Sequence, residues 1–243
     1  MNIRLTIEYD GSDYRGWQRQ DGAPSIQETI ERAIEKVVGE RVPLKGASRT
    51  DSGVHASGQV ANFKCDKKPA EEWRKILNAH LPPTIRVLDS TEVSEEFDAC
   101  RDARSKVYEY RVLNRRFASA LDRRVYFYAR PLDWKSMETC LPLFVGEKDF
   151  AAFRGAGSSA KTSVRTIHRF ELIEEPVTGM YRFRVEGSGF LKQMVRAMVG
   201  TVIEVGEGRR SVEGVREAIE SKDRRRAGRT VPASGLCLTS VQY

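Results

Sequence analysis

Ile3-Arg4-Leu5-Thr6-Ile7-Glu8-Tyr9-Asp10-Gly11 opens the chain with apolar side chains at every second position and a turn dipeptide behind them. Period two marks a strand with one buried face, and Asp-Gly ends it. The next element is of the other kind. Ser25 and Glu28 have capping-box spacing, and Ile26, Ile30, Ile34 and Val38 then follow a helical stripe to Gly39. Further on, the pattern predicts a short strand over Val42–Ala47, a strand over Gln59–Phe63, a helix over residues 69–80 opened by Pro69, and a strand over Ile85–Val93. Near Ser105 the cycle restarts with Val107-Tyr108-Glu109-Tyr110-Arg111-Val112, again alternating. It continues with a helix over Asp133–Val145, strands over Val164–Ile173 and Tyr181–Glu186, helices over Phe190–Val205 and Val212–Ser221, and a last strand over Gly235–Val241. Several neighbouring strands lie close enough for hairpins. The expected fold is therefore α+β in two halves, residues 1–104 and 105–243, each built on a largely antiparallel sheet.

The 243 residues are 40% apolar, enough for real cores, so disorder and fibrous repeats are excluded. Cys65, Cys100, Cys140 and Cys237 are too scattered for metal-ligand or redox spacing, and His55, His80 and His168 form no cluster. The reading is reduced thiols and no metal. No signal-peptide core and no apolar run of about 20 residues occurs, so a soluble, cytoplasmic chain is expected.

Lys and Arg number 41 against 34 acids, a formal charge of +7, and the excess is uneven. Nine basic residues face three acids between Arg101 and Arg130, interleaved with Tyr108, Tyr110, Phe117, Tyr126, Phe127 and Tyr128. Five more, including Arg224, Arg225 and Arg226, face Asp223 alone between Lys222 and Arg229. Cations for phosphates and rings for stacking compose a nucleic-acid surface; a solvated charged face over core aromatics has the same composition.

Three places carry chemistry. Asp51, in Arg49-Thr50-Asp51-Ser52-Gly53, is a carboxylate on a tight loop beside a cation, open to a bulky substrate. The same Asp-Ser-Gly also reads as ordinary turn capping. Arg196 lies at the edge of the apolar stripe formed by Phe190, Met194, Val195, Met198 and Val199, placed either to hold a buried carboxylate ionised or to snorkel to solvent. The Tyr14–Gln20 stretch, with Trp17 and Gln18, is either a base-contacting loop or a Trp-anchored one.

Together these segments resemble the TruA family of tRNA pseudouridine synthases, nearly end to end. Tyr9-Asp10-Gly11 with Gly16-Trp17-Gln18-Arg19-Gln20 is similar to the family's opening signature. Ser25-Ile26-Gln27-Glu28 resembles the start of its first helix, and Arg49-Thr50-Asp51-Ser52-Gly53-Val54-His55 its catalytic motif. Lys106–Tyr110, Asp149-Phe150 with Phe153-Arg154, Met194-Val195-Arg196, Lys222-Asp223-Arg224 and Ala233–Leu238 follow in the family's order. Ser48 and Ser52 stand where the family often has Gly or Ala.

The resemblance implies a cofactor-free isomerase with no metal and no nucleotide cofactor, converting uridine to pseudouridine in the anticodon stem-loop of tRNA, at positions 38, 39 and 40. It makes Asp51 the catalytic nucleophile acting on a base flipped out of its stack. It has Tyr108 stack on that base, Arg49 contact its phosphate, Arg196 pair with the nucleophile, and Leu236 and Leu238 line the uracil pocket. Trp17, Gln18 and Arg224–Arg226 are candidate RNA contacts. It implies a two-domain pseudouridine synthase fold, with the strand–helix pattern of small RNA-binding domains, helices on one face of each sheet, the cleft between the halves, and a homodimer. Two alternatives stay open: the same chemistry at other tRNA positions, and a tRNA-binding protein without catalysis.

Overall fold

The computed structural model describes residues 1–175 and 178–243. The chain forms two compact units, Met1–Arg104 together with Cys237–Tyr243, and Ser105–Leu236.

In the first unit β1 (Asn2–Tyr9) lies between β3 (His55–Lys64) and β4 (Ile85–Val93), antiparallel to both. The alternation seen in sequence sets its faces: Ile3, Leu5 and Ile7 are fully buried, while Glu8 is exposed. The other edge of β3 is shared. β2 (Lys45–Gly46) pairs antiparallel at Ala61–Asn62, and β10 (Leu236–Gln242) pairs parallel at His55–Ala56. The reading that assigned all of 105–243 to the second half thus differs at the end of the chain, because Cys237 and Leu238 bond alongside β3.

Helix α1 (Ile26–Val38) begins where its cap predicts. Ser25 is extended and its Oγ accepts the Glu28 N–H, and Gly39 closes the helix in the left-handed region at φ 84°. The Glu28 carboxylate bonds Arg32. Helix α2 (Trp73–His80) follows a 3₁₀ turn at Ala70–Glu72 and sets Trp73 edge-on to Phe63 at 5.0 Å. A second cluster, Ala47, Val60 and Ala99 with Phe97, Val241 and Tyr243, packs on its own, and the buried Asn62 amide bonds Asn2 and the Phe97 carbonyl.

The second unit is an antiparallel run of β5 (Ser105–Asn114), β9 (Met180–Gly187), β8 (Val164–Glu175) and β7 (Gly146–Asp149), with β6 (Tyr126–Tyr128) parallel to the end of β5. Helix α3 (Trp134–Cys140) stops earlier than the expected Val145. Pro142 has no N–H to donate, and Leu141–Phe144 tightens into a 3₁₀ turn. Helix α4 (Met194–Gly206) is buried at every position but Arg196 and Glu204, as befits a helix apolar nearly all round. It begins four residues later than the expected Phe190 because Gln193 adopts φ 59°, which a right-handed helix cannot run through. Helix α5 (Val212–Ser221) is capped by Ser211. The architecture is α+β with antiparallel pairing dominant. Among the described residues no helix is long and apolar enough to cross a membrane.

Candidate active site

In the first unit Asp51 sits half-buried on the loop entering β3, and the loop's shape is imposed by residues 9–17. The Trp17 N–H donates to the Thr50 carbonyl at 3.1 Å and the Gly53 N–H to the Tyr14 carbonyl at 3.3 Å. The Ser52 hydroxyl donates to that same carbonyl at 3.2 Å. The Tyr9 hydroxyl shares a hydrogen bond with Thr50 Oγ1 at 2.8 Å, out of solvent. Two glycines make the approach feasible. A Cβ on Gly16, at φ 94°, would stand 2.4 Å from the Thr50 carbonyl oxygen, and one on Gly11 would stand 2.0 Å from that of Val54. Below, the Gly11 N–H donates to Nδ1 of the buried His55, whose ring lies 3.1 Å from Asp10. The carboxylate therefore stands on a backbone bonded on several sides, which is how a reacting group is held in one geometry.

The opening signature of the sequence is thus a cradle for the Asp51 loop. Trp17, expected among the RNA contacts, is 2% exposed, and a Cβ on Gly46 would lie 2.4 Å from its indole. The ring is packed inside the cradle and anchors it. Gln18 is partly buried and donates to Gln27 Oε1, tying the cradle to the first turn of α1. Arg49 is exposed next to Thr50. Leu238 is fully buried in β10.

In the second unit Tyr108 lies on β5 opposite Val185 of β9, 5% exposed. Phe190, freed from α4 by the turn at Gln193, meets the Tyr108 ring edge to face at 5.1 Å. Tyr110, on the same face two residues on, is fully buried and donates its hydroxyl to the Pro232 carbonyl at 2.8 Å; burial pushes its pKa well above the ordinary tyrosine value. Arg196 opens into partial exposure on the first turn of α4, and its Nε donates to the Val231 carbonyl at 2.8 Å. Leu236 is 5% exposed at the start of β10.

The three arginines of the 224–226 run separate. Arg224 turns to the Gly228 carbonyl at 2.8 Å and Thr230 Oγ1 at 2.9 Å, so it braces the chain. Arg225 pairs with Asp223 at 2.7 Å while 90% exposed, and Arg226 is exposed. Sequence reading missed Glu207 and Arg229. The Arg229 guanidinium spans both oxygens of Glu207, which also accepts from the Tyr128 hydroxyl at 2.5 Å. The Arg229 contact, with Tyr128 and Arg209, draws the Glu207 pKa down to about 2.

A family model described as tRNA pseudouridine synthase matches residues 5–100 and 141–243; Tyr108 and the basic loop after β5 lie between the two stretches. The chain is 48% identical to the tRNA pseudouridine synthase A of Acetivibrio thermocellus, over 100% of this chain and 99% of that protein. It is 45% identical to that of Clostridium kluyveri, with the same coverage of each. With the matched stretches running through the Asp51 cradle, α4 and the Arg224–Leu238 segment, the chain belongs to the tRNA pseudouridine synthase family and is an isomerase that converts uridine to pseudouridine.

Proposed function

We propose that Asp51 is the nucleophile of this isomerisation and that the substrate is the anticodon stem-loop of tRNA, at positions 38, 39 and 40. The observation that carries the assignment is the cradle: five hydrogen bonds and two obligatory glycines fix the backbone around one carboxylate. The reaction breaks the N-glycosidic bond, turns the uracil and rejoins it through carbon 5, with no net redox change and no second substrate. The target base is stacked in the RNA and must be flipped out, at a cost of a few kcal/mol offset by contacts to the backbone. Tyr108, stiffened by Phe190, offers the ring against which the flipped base stacks. Arg196 is assigned as the cation that partners the nucleophilic carboxylate. Arg49 meets the phosphate of the flipping nucleotide, and Leu236 lines the uracil pocket. The enzyme works in the cytoplasm as a homodimer and needs no cofactor.

The test uses unmodified tRNA transcripts carrying tritium at uridine carbon 5. Wild-type enzyme is expected to release the label, with carbodiimide–primer extension placing the product at the anticodon-stem positions. Asp51→Asn is expected to lose on the order of 10³-fold or more in rate while still binding tRNA. Release by Asp51→Asn at a rate near wild type removes the nucleophile from the mechanism; release mapped to other positions corrects the substrate.

A further inference from the structure

Arg196, Gly200, Glu204 and Glu207 follow one another by single turns along α4 and its C-cap, so they share one face. The irregular segment Gly228–Pro232 runs along that face and is engaged at each of the four. At Glu207 the Arg229 guanidinium forms a two-pronged ion pair. At Glu204 the carboxylate accepts the Arg229 N–H at 3.1 Å, its other oxygen being held by Arg210. At Gly200 the missing side chain admits the Arg229 carbonyl, which a Cβ would approach to 1.8 Å. At Arg196 the contact is reciprocal: Nε donates to the Val231 carbonyl at 2.8 Å, and the Val231 N–H points back at the Arg196 carbonyl at 3.4 Å. Gly228 is pinned beside them by Thr201 Oγ1 at 2.8 Å.

This arrangement has a direction. A guanidinium is planar, so the acceptor of its Nε–H sets the plane and thereby the heading of both terminal amino groups. For Arg196 that acceptor is a backbone carbonyl in a segment without regular secondary structure, and its position depends on what holds the segment in register on α4. Arg229 supplies the charge-assisted, two-point anchor at the far end, and such a fork resists both sliding and rotation. Glu207 and Arg196 are separated by about 16 Å of helix.

We infer that Arg229 is a positioning residue for the reaction: its ion pair with Glu207 registers Gly228–Pro232 on α4 and so holds the Val231 carbonyl where it aims the Arg196 guanidinium. The inference rests on the role of Arg196 proposed above.

Tritium release by the full-length enzyme tests it. Arg229→Met removes the fork, and Glu207→Gln/Arg229→Met removes both charges, so that no buried carboxylate is left without its cation. Both are expected to lower kcat roughly ten- to hundredfold, the cost of a misaimed group, with KM and tRNA affinity within about twofold of wild type. Arg229→Lys, which keeps the charge without the fork, falls between. In an Arg196→Lys background, where no Nε–H exists to be aimed, adding Arg229→Met is expected to cost less than about twofold. Circular dichroism and urea midpoints fix the folded fraction of each variant. A fully folded double variant with wild-type kcat overturns the inference. So does a loss that follows the unfolded fraction, or an Arg229→Met effect undiminished by Arg196→Lys. Wild-type enzyme that releases no label instead overturns the functional reading beneath it.

Discussion

Glu207 is 7% exposed and meets the Arg229 fork, and this contact, with Tyr128 and Arg209, takes its pKa from an ordinary 4.5 to about 2. The folded-state value lies below the unfolded one, so the stabilisation is fully present above about pH 4.5 and drains away as pH falls toward 2. A displacement of that size corresponds to about 3 kcal/mol. Glu207→Gln is therefore expected to be less stable than wild type at pH 7, with the difference nearly the same in urea titrations at pH 5 and shrinking at pH 4 and again at pH 3. A difference constant over that range would show that the carboxylate's charge contributes nothing. At this scale the sequence is uneven as a guide. Asp51 and Arg196 stand out because a carboxylate on a glycine-flanked turn and a cation beside an apolar stripe are local patterns. Trp17 does not declare itself, because its burial is decided by Gly46, on a different element. Arg224 reads as one more surface charge because the oxygens it meets, at Gly228 and Thr230, lie in irregular chain that has no periodicity to read.

At the scale of elements, helix caps and strand alternation are the legible features. Ile85–Val93 and Val212–Ser221 have the bounds that pattern alone gives them, and α1 starts behind Ser25 and stops at Gly39. The departures occur where tertiary contact overrides a local preference. Phe190 extends the apolar stripe of α4 on paper, yet it leaves the helix to pack on Tyr108. Short pieces such as β6 and β7 are set by their partners rather than by their own residues. Gly200 offers a direct test of such an override. In an exposed helix Gly→Ala gains about 1 kcal/mol. Here the added methyl would meet the Arg229 carbonyl, a backbone atom with no rotamer to yield. Gly200→Ala is expected to lose about 2 kcal/mol or more in urea denaturation, and a stabilised variant would mean that Gly228–Pro232 sits loosely on α4.

For the whole molecule, the net charge of +7 matters through where it is exposed. Arg115, Arg116, Arg123 and Arg124 all stand in solvent between β5 and β6, beside Phe117 at 69% and Leu121 at 93% exposure. Arg224 instead bonds the chain's own oxygens at Gly228 and Thr230, so its replacement is read first in stability. Replacing the four loop arginines by Gln is expected to flatten the dependence of log Kd for tRNA on log salt by about 1 to 3, roughly one step for each phosphate that is no longer neutralised. Arg224→Gln should leave that slope alone and lower the urea midpoint. An unchanged slope for the loop variant would place the RNA footprint elsewhere. The α+β class and a boundary near residue 104 are both readable from element order. The return of Cys237–Tyr243 to the first unit is not, since nothing in a strand's own residues names a partner so distant in sequence.

That return bears on how the protein is made. Ala56 and Leu238, neighbours in the sheet, are 182 positions apart in the chain. At roughly 5–20 residues per second a ribosome needs about 10 to 40 seconds to travel between them. During that interval the strand leading out of the Asp51 loop has an unfilled edge at His55–Ala56, and the Val60 cluster lacks Val241 and Tyr243. The unit whose residues are translated first is completed after the unit whose residues follow it.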